Sequence, residues 1–286
     1  GLVRKGLFPD ASKGKSSVNS FMPFKGKLAL EYVLKGGHRF NASAAFIADA
    51  PTFNQSYISA RTRNTSLGDL NPDGFTTRKT IAADVTYQLN TSWLQLRATA
   101  FWSKIYDQTD VMSFYDDSQH SFTNFAMTGI AERHAGMELG FKVPLPVQGL
   151  SVSGAFTYGE YIYVKNRGEN PRMVQTIDNS AEIIREGEVK YWVSHPETVS
   201  TVDEIKTVDV KHYVPSSPQI AAELAVNYRT NSYWFFEINA QYFGKSYLDM
   251  NPLYRTEYAC QGPDGVASEE EIKYMCAQEN LFVRPD

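Results

Sequence analysis

Apolar and polar residues alternate along eight separate runs, the period of a strand whose two faces meet different surroundings. In 78–89, Ile81, Ala83, Val85, Tyr87 and Leu89 form one row, and Ala82, Asp84, Thr86 and Gln88 the other. The next run sets Leu94, Leu96, Ala98, Ala100 and Trp102 against Gln95, Arg97, Thr99 and Ser103. In 130–143 the apolar row is Ala135, Met137, Leu139, Phe141 and Val143, opposite Glu132, His134, Glu138 and Lys142. In 219–228, Ile220, Ala222, Leu224, Val226 and Tyr228 stand opposite Gln219, Glu223 and Asn227. In 233–243, Trp234, Phe236, Ile238, Ala240 and Tyr242 stand opposite Glu237, Asn239 and Gln241. Weaker alternation over 27–35, 39–48 and 150–163 completes an all-β, antiparallel reading.

The links take turns. Gly36-Gly37, Asn90-Thr91-Ser92, Pro144 to Gly149 and Arg229 to Ser232 are turn-sized and carry turn chemistry. The links 49–77, 108–126, 165–216 and the chain after 248 are long. Strict alternation places every long link at one end of the sheet. A membrane β-barrel has this asymmetry, with short periplasmic turns and long outer loops. Aromatics gather at both ends: Tyr87, Trp93, Phe141, Tyr228 and Trp234 by the turns, Trp102, Tyr106, Tyr158, Tyr161 and Tyr242 by the loops. A soluble β-sandwich would turn the same apolar rows toward a core. The loop asymmetry and the two aromatic belts favour the barrel.

Composition narrows the picture. Aromatic residues make up 13% of the chain, and the formal charge of −4 argues against a nucleic-acid binder. No run approaches the ~18 apolar residues of a membrane helix, a test to which barrel strands are blind. Cys260 and Cys276 share one short segment, a spacing that suits a local disulfide in an oxidising compartment.

A family comes into view over 67–164. Leu67-Gly-Asp-Leu-Asn-Pro-Asp73 precedes a strand beginning at Asp84, and a second strand runs from Leu94 to Asp107 through Ala98, Ala100, Phe101 and Ile105. Ser113 to Asp117, Asn124 and Gly129 to Gly136, with Glu138, follow the same pattern. These blocks resemble the late barrel of TonB-dependent outer-membrane receptors, with a Bacteroidetes flavour. The resemblance implies a 22-strand barrel, of which residues 1–286 would be one continuous region with eight strands, no plug domain and no terminal strand. It implies uptake of a bulky nutrient (glycan, peptide, iron chelate or cobalamin) across the outer membrane of a Gram-negative bacterium, with no covalent chemistry. The implied partners are the TonB complex, through a plug absent here, outer-membrane lipids and a surface lipoprotein. A self-closed eight-stranded barrel with a structural or adhesive role is the rival reading, and a rim hydrolase a third.

Tyr57, Arg61, Arg63, Tyr115, Trp192, Tyr254 and Arg255 lie in the long links, where aromatic rings and guanidinium groups suit ligand contact. Glu31, Asp84, Arg97, Glu132, His134, Glu138, Glu223 and Glu237 fall on the polar rows and would line the lumen. Asp69 to Gly74 matches half of a calcium loop, but position twelve is Thr80 where the loop needs Glu. Turn chemistry is the plainer reading there, and no cofactor is expected. Asp116, Asp117 and His120 gather in one loop. Acid-base chemistry is conceivable, but solvated loop charge is the simpler account. The five histidines have no metal spacing.

Overall fold

The computed structural model describes residues 2–4, 18–58, 67–70, 75–116, 119–177, 182–200, 205–215, 217–261, 268–271 and 282–283. Strands are numbered in chain order: β1 (Leu2–Arg4), β2 (Asn19–Phe21), β3 (Phe24–Leu34), β4 (His38–Asp49), β5 (Arg78–Asn90) and β6 (Gln95–Asp116). Next come β7 (Ser121–Pro144), β8 (Leu150–Val164), β9 (Arg172–Ile177), β10 (Ile183–Glu188), β11 (His195–Ser200) and β12 (Ile205–Val210). The last four are β13 (Ile220–Arg229), β14 (Phe235–Gly244), β15 (Ser246–Tyr247) and β16 (Phe282–Val283).

Eight strands pair side by side in the order β14-β13-β8-β7-β6-β5-β4-β3, every neighbour antiparallel. All eight expected runs are present, each in sequence order beside its neighbour. The sheet is open. Among the described residues β3 and β14 end the path and do not pair with each other. The closed eight-stranded barrel is therefore not formed, and the architecture is a partial barrel wall.

The tight end is built by turn chemistry. Gly37 has φ +87°, and a Cβ there would stand 2.1 Å from the carbonyl oxygen of Asn90. That oxygen belongs to the neighbouring turn, so the chain passes too closely for any side chain. Asn90 N–H donates to the Gly37 carbonyl at 2.9 Å and joins the two turns.

Register settles the faces, because residues alternate sides along a strand. Leu30, Val85, Met137, Leu224 and Ile238 project on one side and stay 67%, 58%, 55%, 52% and 78% exposed. So broad an apolar surface on an ordered sheet is a surface built for lipid. The opposite side carries hydroxyls, amides and charges.

The long-link end departs from expectation twice. The expected link 108–126 is not a loop. β6 and β7 continue through it, pairing from Thr109↔Thr128 to Asp116↔Ser121. Two residues let them do so. Asp107 and Gly129 adopt φ 55° and 70°, absorbing a bulge between Ile105 and Thr109 that breaks the simple alternation. The link 165–216 is likewise structured: β9 pairs with the β7 extension and β10 with β9, while β11 pairs with β12. Tyr161, expected in the outer aromatic belt, lies instead on the polar face, where its ring meets His134 edge-on at 5.0 Å.

Among the described residues, most of the buried apolar side chains gather in this outer lobe. Phe125, Met127, Met173, Trp192, Val193 and Met250 form one cluster. Ala126, Phe21, Ile58, Leu67 and Phe75 form another. Phe125 and Ala126 are adjacent in β7, so the clusters cover opposite faces of the extended hairpin.

Candidate functional site

Two surfaces hold the residues singled out above: the polar face of the wall and a cleft in the outer lobe. On the wall, register links Glu31, Asn41, Thr86, Thr99, Glu138 and Thr157 into one transverse row. By strand parity Asp84, Arg97, Glu132, His134, Glu223 and Glu237 share that face, so all eight residues of the polar set stand together. They are braced locally. Ser43 donates to Asp84. Thr86 and Thr99 hydroxyls lie 2.9 Å apart. Arg39 reaches Glu31 at 3.3 Å, and His134 lies 2.9 Å from Glu132. Toward the short turns this face forms a hollow of about 710 Å³, with Lys142, Ser153, Glu223, Asn227 and Glu237 on its walls. Its polar groups remain largely open to solvent.

The outer cleft is smaller, about 210 Å³, and is bounded by Tyr115, Asp116, Arg185, Tyr254 and Tyr258. Its floor comes from strand pairing. β6 delivers Asp116, β9 delivers Gln175, and β10 delivers Arg185. The Arg185 guanidinium donates to Asp116 Oδ2 at 2.6 Å and to Gln175 Oε1 at 3.1 Å. Gln175 Nε2 donates to the same Asp116 oxygen at 2.9 Å and to Thr123 Oγ1 at 2.9 Å. Every strong group on the floor thus holds another, and the pair is nearly dry, with Asp116 4% and Arg185 19% exposed.

Rings form the walls. Tyr115 and Tyr254 are 49% and 51% exposed, and Tyr258 37%. Tyr115 rests edge-on against Phe122 at 5.5 Å. Tyr254 sits in a 3-10 turn, Pro252–Arg255, capped by Asn251, whose side chain accepts from Leu253 N–H. Thr256 Oγ1 closes that turn on the Leu253 carbonyl at 2.7 Å. Tyr258 donates its hydroxyl to the Glu186 carbonyl at 2.7 Å, and its ring lies 5.9 Å from the Arg185 guanidinium carbon. Braced rings with open faces suit flat or puckered apolar ligand surfaces.

The loop candidates divide accordingly. Tyr115 and Tyr254 meet in the cleft. Tyr57, Trp192 and Arg255 are buried at 8%, 3% and 5% exposure, holding the lobe from inside. Trp192 packs on Tyr163 at 4.8 Å. Burial lowers the Arg255 pKa to about 10. Nearby, burial first, then the Arg255 and His195 charges, pull His212 down to about 3, so it is neutral. Its Nδ1 lies 3.2 Å from Met250 Sδ. Arg61, Arg63 and Asp117 lie outside the described residues, as do Asn71 to Gly74 of the calcium-like block, Cys276, and the side chains of Asp69 and Cys260. His120 is exposed beside the β6–β7 tip, and Asp116 is engaged by Arg185 and Gln175.

Sequence reasoning passed over Arg185, Gln175 and Tyr258. The alternation in 172–188 is too short to announce strands, and their meeting with Asp116 depends on pairing across a long link. Arg185 did carry one signal, a cation in a mixed apolar and acidic run.

An open antiparallel wall, apolar outside and polar inside, with a folded lobe at its long-link end, defines a segment of a large outer-membrane-type β-barrel. The family model described as TonB dependent receptor-like, beta-barrel matches residues 6–259, and the chain belongs to that family. No curated protein matches the chain. The family consists of outer-membrane receptors of Gram-negative bacteria that act as transporters and engage TonB through a plug domain.

Proposed function

We propose that this chain is part of the wall and ligand-gathering loops of a TonB-dependent importer for a bulky nutrient, of the glycan, peptide, iron-chelate or cobalamin type. The observation that carries this reading is the cleft of Tyr115, Tyr254 and Tyr258 above a buried Asp116–Arg185 pair, set at the loop end of a two-faced wall. The rings take the solute from outside. The polar face, from Glu31 to Glu237, lines the passage beyond, where weak and exchangeable hydrogen bonds let the solute move on. Tyr57, Trp192 and Arg255 hold the lobe that presents the rings. Arg61 and Arg63 add cationic contacts, and a Cys260–Cys276 bridge ties the last loop. Energy reaches the passage through a plug and the TonB complex, and a surface lipoprotein delivers solute to the lobe. The open edges of β3 and β14 pair with further strands of the same barrel.

The test is depletion of solutes from a mixed panel of oligosaccharides, peptides, ferric chelates and cobalamins by energised cells carrying the full receptor. The expected result is receptor-dependent loss of one class that stops when the proton gradient is collapsed. Uptake that persists without the gradient, or no uptake by an assembled receptor, overturns the reading.

A further inference from the structure

The β11–β12 hairpin closes on two histidines. Register pairs His195 with Val210 at the base of the hairpin, and His212 stands just beyond that pair. The backbone holds the two sides in place. His212 N–H donates to Ser194 Oγ at 2.9 Å. Tyr163 N–H donates to the His212 carbonyl, and Ser194 N–H to the Tyr163 carbonyl, each at 2.9 Å. The two imidazole rings lie 6.1 Å apart by centroid, with their planes 17° from parallel. Both Nδ1 atoms are engaged. That of His195 lies 3.0 Å from the Val193 carbonyl oxygen, and that of His212 lies 3.2 Å from Met250 Sδ. A carbonyl and a thioether accept but cannot donate, so a neutral ring in either place carries its proton on Nδ1 and presents a bare lone pair at Nε2. At His212 that atom is fully buried and, among the described residues, has no hydrogen-bond partner. Such a lone pair costs stability unless a donor or a cation meets it.

We propose that His195 and His212 bind one soft monovalent cation, Cu(I), between their Nε2 atoms. Two imidazoles joined end to end through one ion, at ~2.0 Å per bond, have centroids roughly 6 Å apart, which is the separation observed. The Nδ1–H contacts to Val193 and Met250 set tautomer and ring orientation, as outer contacts of ligating histidines do. Ligand count and charge select the ion. Structural Zn(II) takes four ligands, and no group of three or more His, Cys, Asp or Glu side chains gathers among the described residues. Cu(I) is satisfied by two nitrogens and prefers thioether surroundings. Met127, Met173 and Met250 share the buried cluster at this place. The Arg255 charge bears on His212, and it penalises a divalent ion more than a monovalent one. The bound ion closes the base of the hairpin. The proposal goes beyond the importer reading and is independent of the solute carried.

The full receptor in detergent micelles is titrated with Cu(I) under ascorbate against the chromogenic chelator bicinchoninate. The expected result is one more Cu(I) held by the wild type than by His195→Asn, a change at the half-buried member of the pair. Met250→Leu should keep the ion and weaken its binding about tenfold. Hydrogen exchange at Val193, Ser194 and His212 should slow when Cu(I) is added and stay unchanged with Zn(II). The exchange measurement needs no variant, so it decides the matter even where His195→Asn fails to fold. Equal Cu(I) counts in wild type and a folded His195→Asn, exchange indifferent to Cu(I), or equal slowing by Zn(II) overturns the proposal.

Discussion

Asp116 and Arg185 are 69 residues apart in sequence, and their charged atoms lie 2.6 Å apart in the structure. The contact ties the tip of the β6–β7 hairpin to β10 and fixes the floor of the outer cleft. Breaking a buried pair from one side strands the other charge. Arg185→Met should destabilise the outer lobe by about 3 kcal/mol. Limited proteolysis should then cut within 182–194 while the barrel keeps its heat-resistant mobility. Asp116→Asn, which retains an acceptor for Gln175, should cost less.

The two most exposed rings of the cleft, Tyr115 and Tyr254, give a separable effect. Tyr254→Ala and Tyr115→Ala should each weaken binding of the imported solute by about 1 kcal/mol, roughly fivefold, from lost ring contact. Thermal stability should stay put, since both rings are about half exposed. Trp192→Ala should behave oppositely, lowering stability first, because its ring is buried against Tyr163. Calorimetric titration and a melting curve on each variant separate the cases.

The two faces of the wall respond differently to charge. Val85→Lys places an ammonium on the lipid side and should cost about 2–4 kcal/mol near the bilayer midplane. Arg97→Gln, on the polar side, should change stability by less than about 0.5 kcal/mol. Urea unfolding in lipid vesicles measures both. Equal costs would refute the face assignment.

His212 gives the outer lobe an acid-sensitive point. Its folded pKa of about 3 lies below its ordinary value of 6.5, so the unfolded chain takes up a proton that the folded lobe refuses. The contribution is complete above pH 6.5 and is lost as pH falls toward 3, at up to about 1.4 kcal/mol per pH unit. Asp249 works in the opposite sense. Burial raises its pKa, so its contribution grows as pH falls through its raised value. His212→Leu should flatten the pH dependence of lobe protection between pH 6 and 4, measured by hydrogen exchange at Val193 and Met250.

Much of the wall was legible because its rule is local. Alternation in 78–89 or 233–243 reports two unlike surroundings, whatever the neighbouring strands are. The turns were legible for the same reason, since Gly36-Gly37 supplies the positive φ that a tight turn takes. The outer lobe was not. Phe125, Ala126 and Met127 are all buried, so β7 loses its alternation there and reads as an unpatterned link. The bulge at Asp107 and Gly129 further offsets the period. Tyr115 and Tyr254 could be named from ring chemistry and loop position. Their shared cleft could not, because Arg185 reaches it only through the pairing of β9 with the β7 extension.

The bulge also sets a distance. β6 and β7 run 22 and 24 residues, about twice the ~9–11 that a membrane strand needs. The surplus from Gln108 to Asp116, at ~3.4 Å per residue and with the strand tilt of a barrel, raises the cleft roughly 20–30 Å above the rim. The bulge at Asp107 and Gly129 lets β6 and β7 pair again beyond that point, so the cleft is carried on a paired hairpin and not on a loop. A large solute drifting in from the medium meets the rings at that stand-off, before it reaches the crowded headgroups of the membrane.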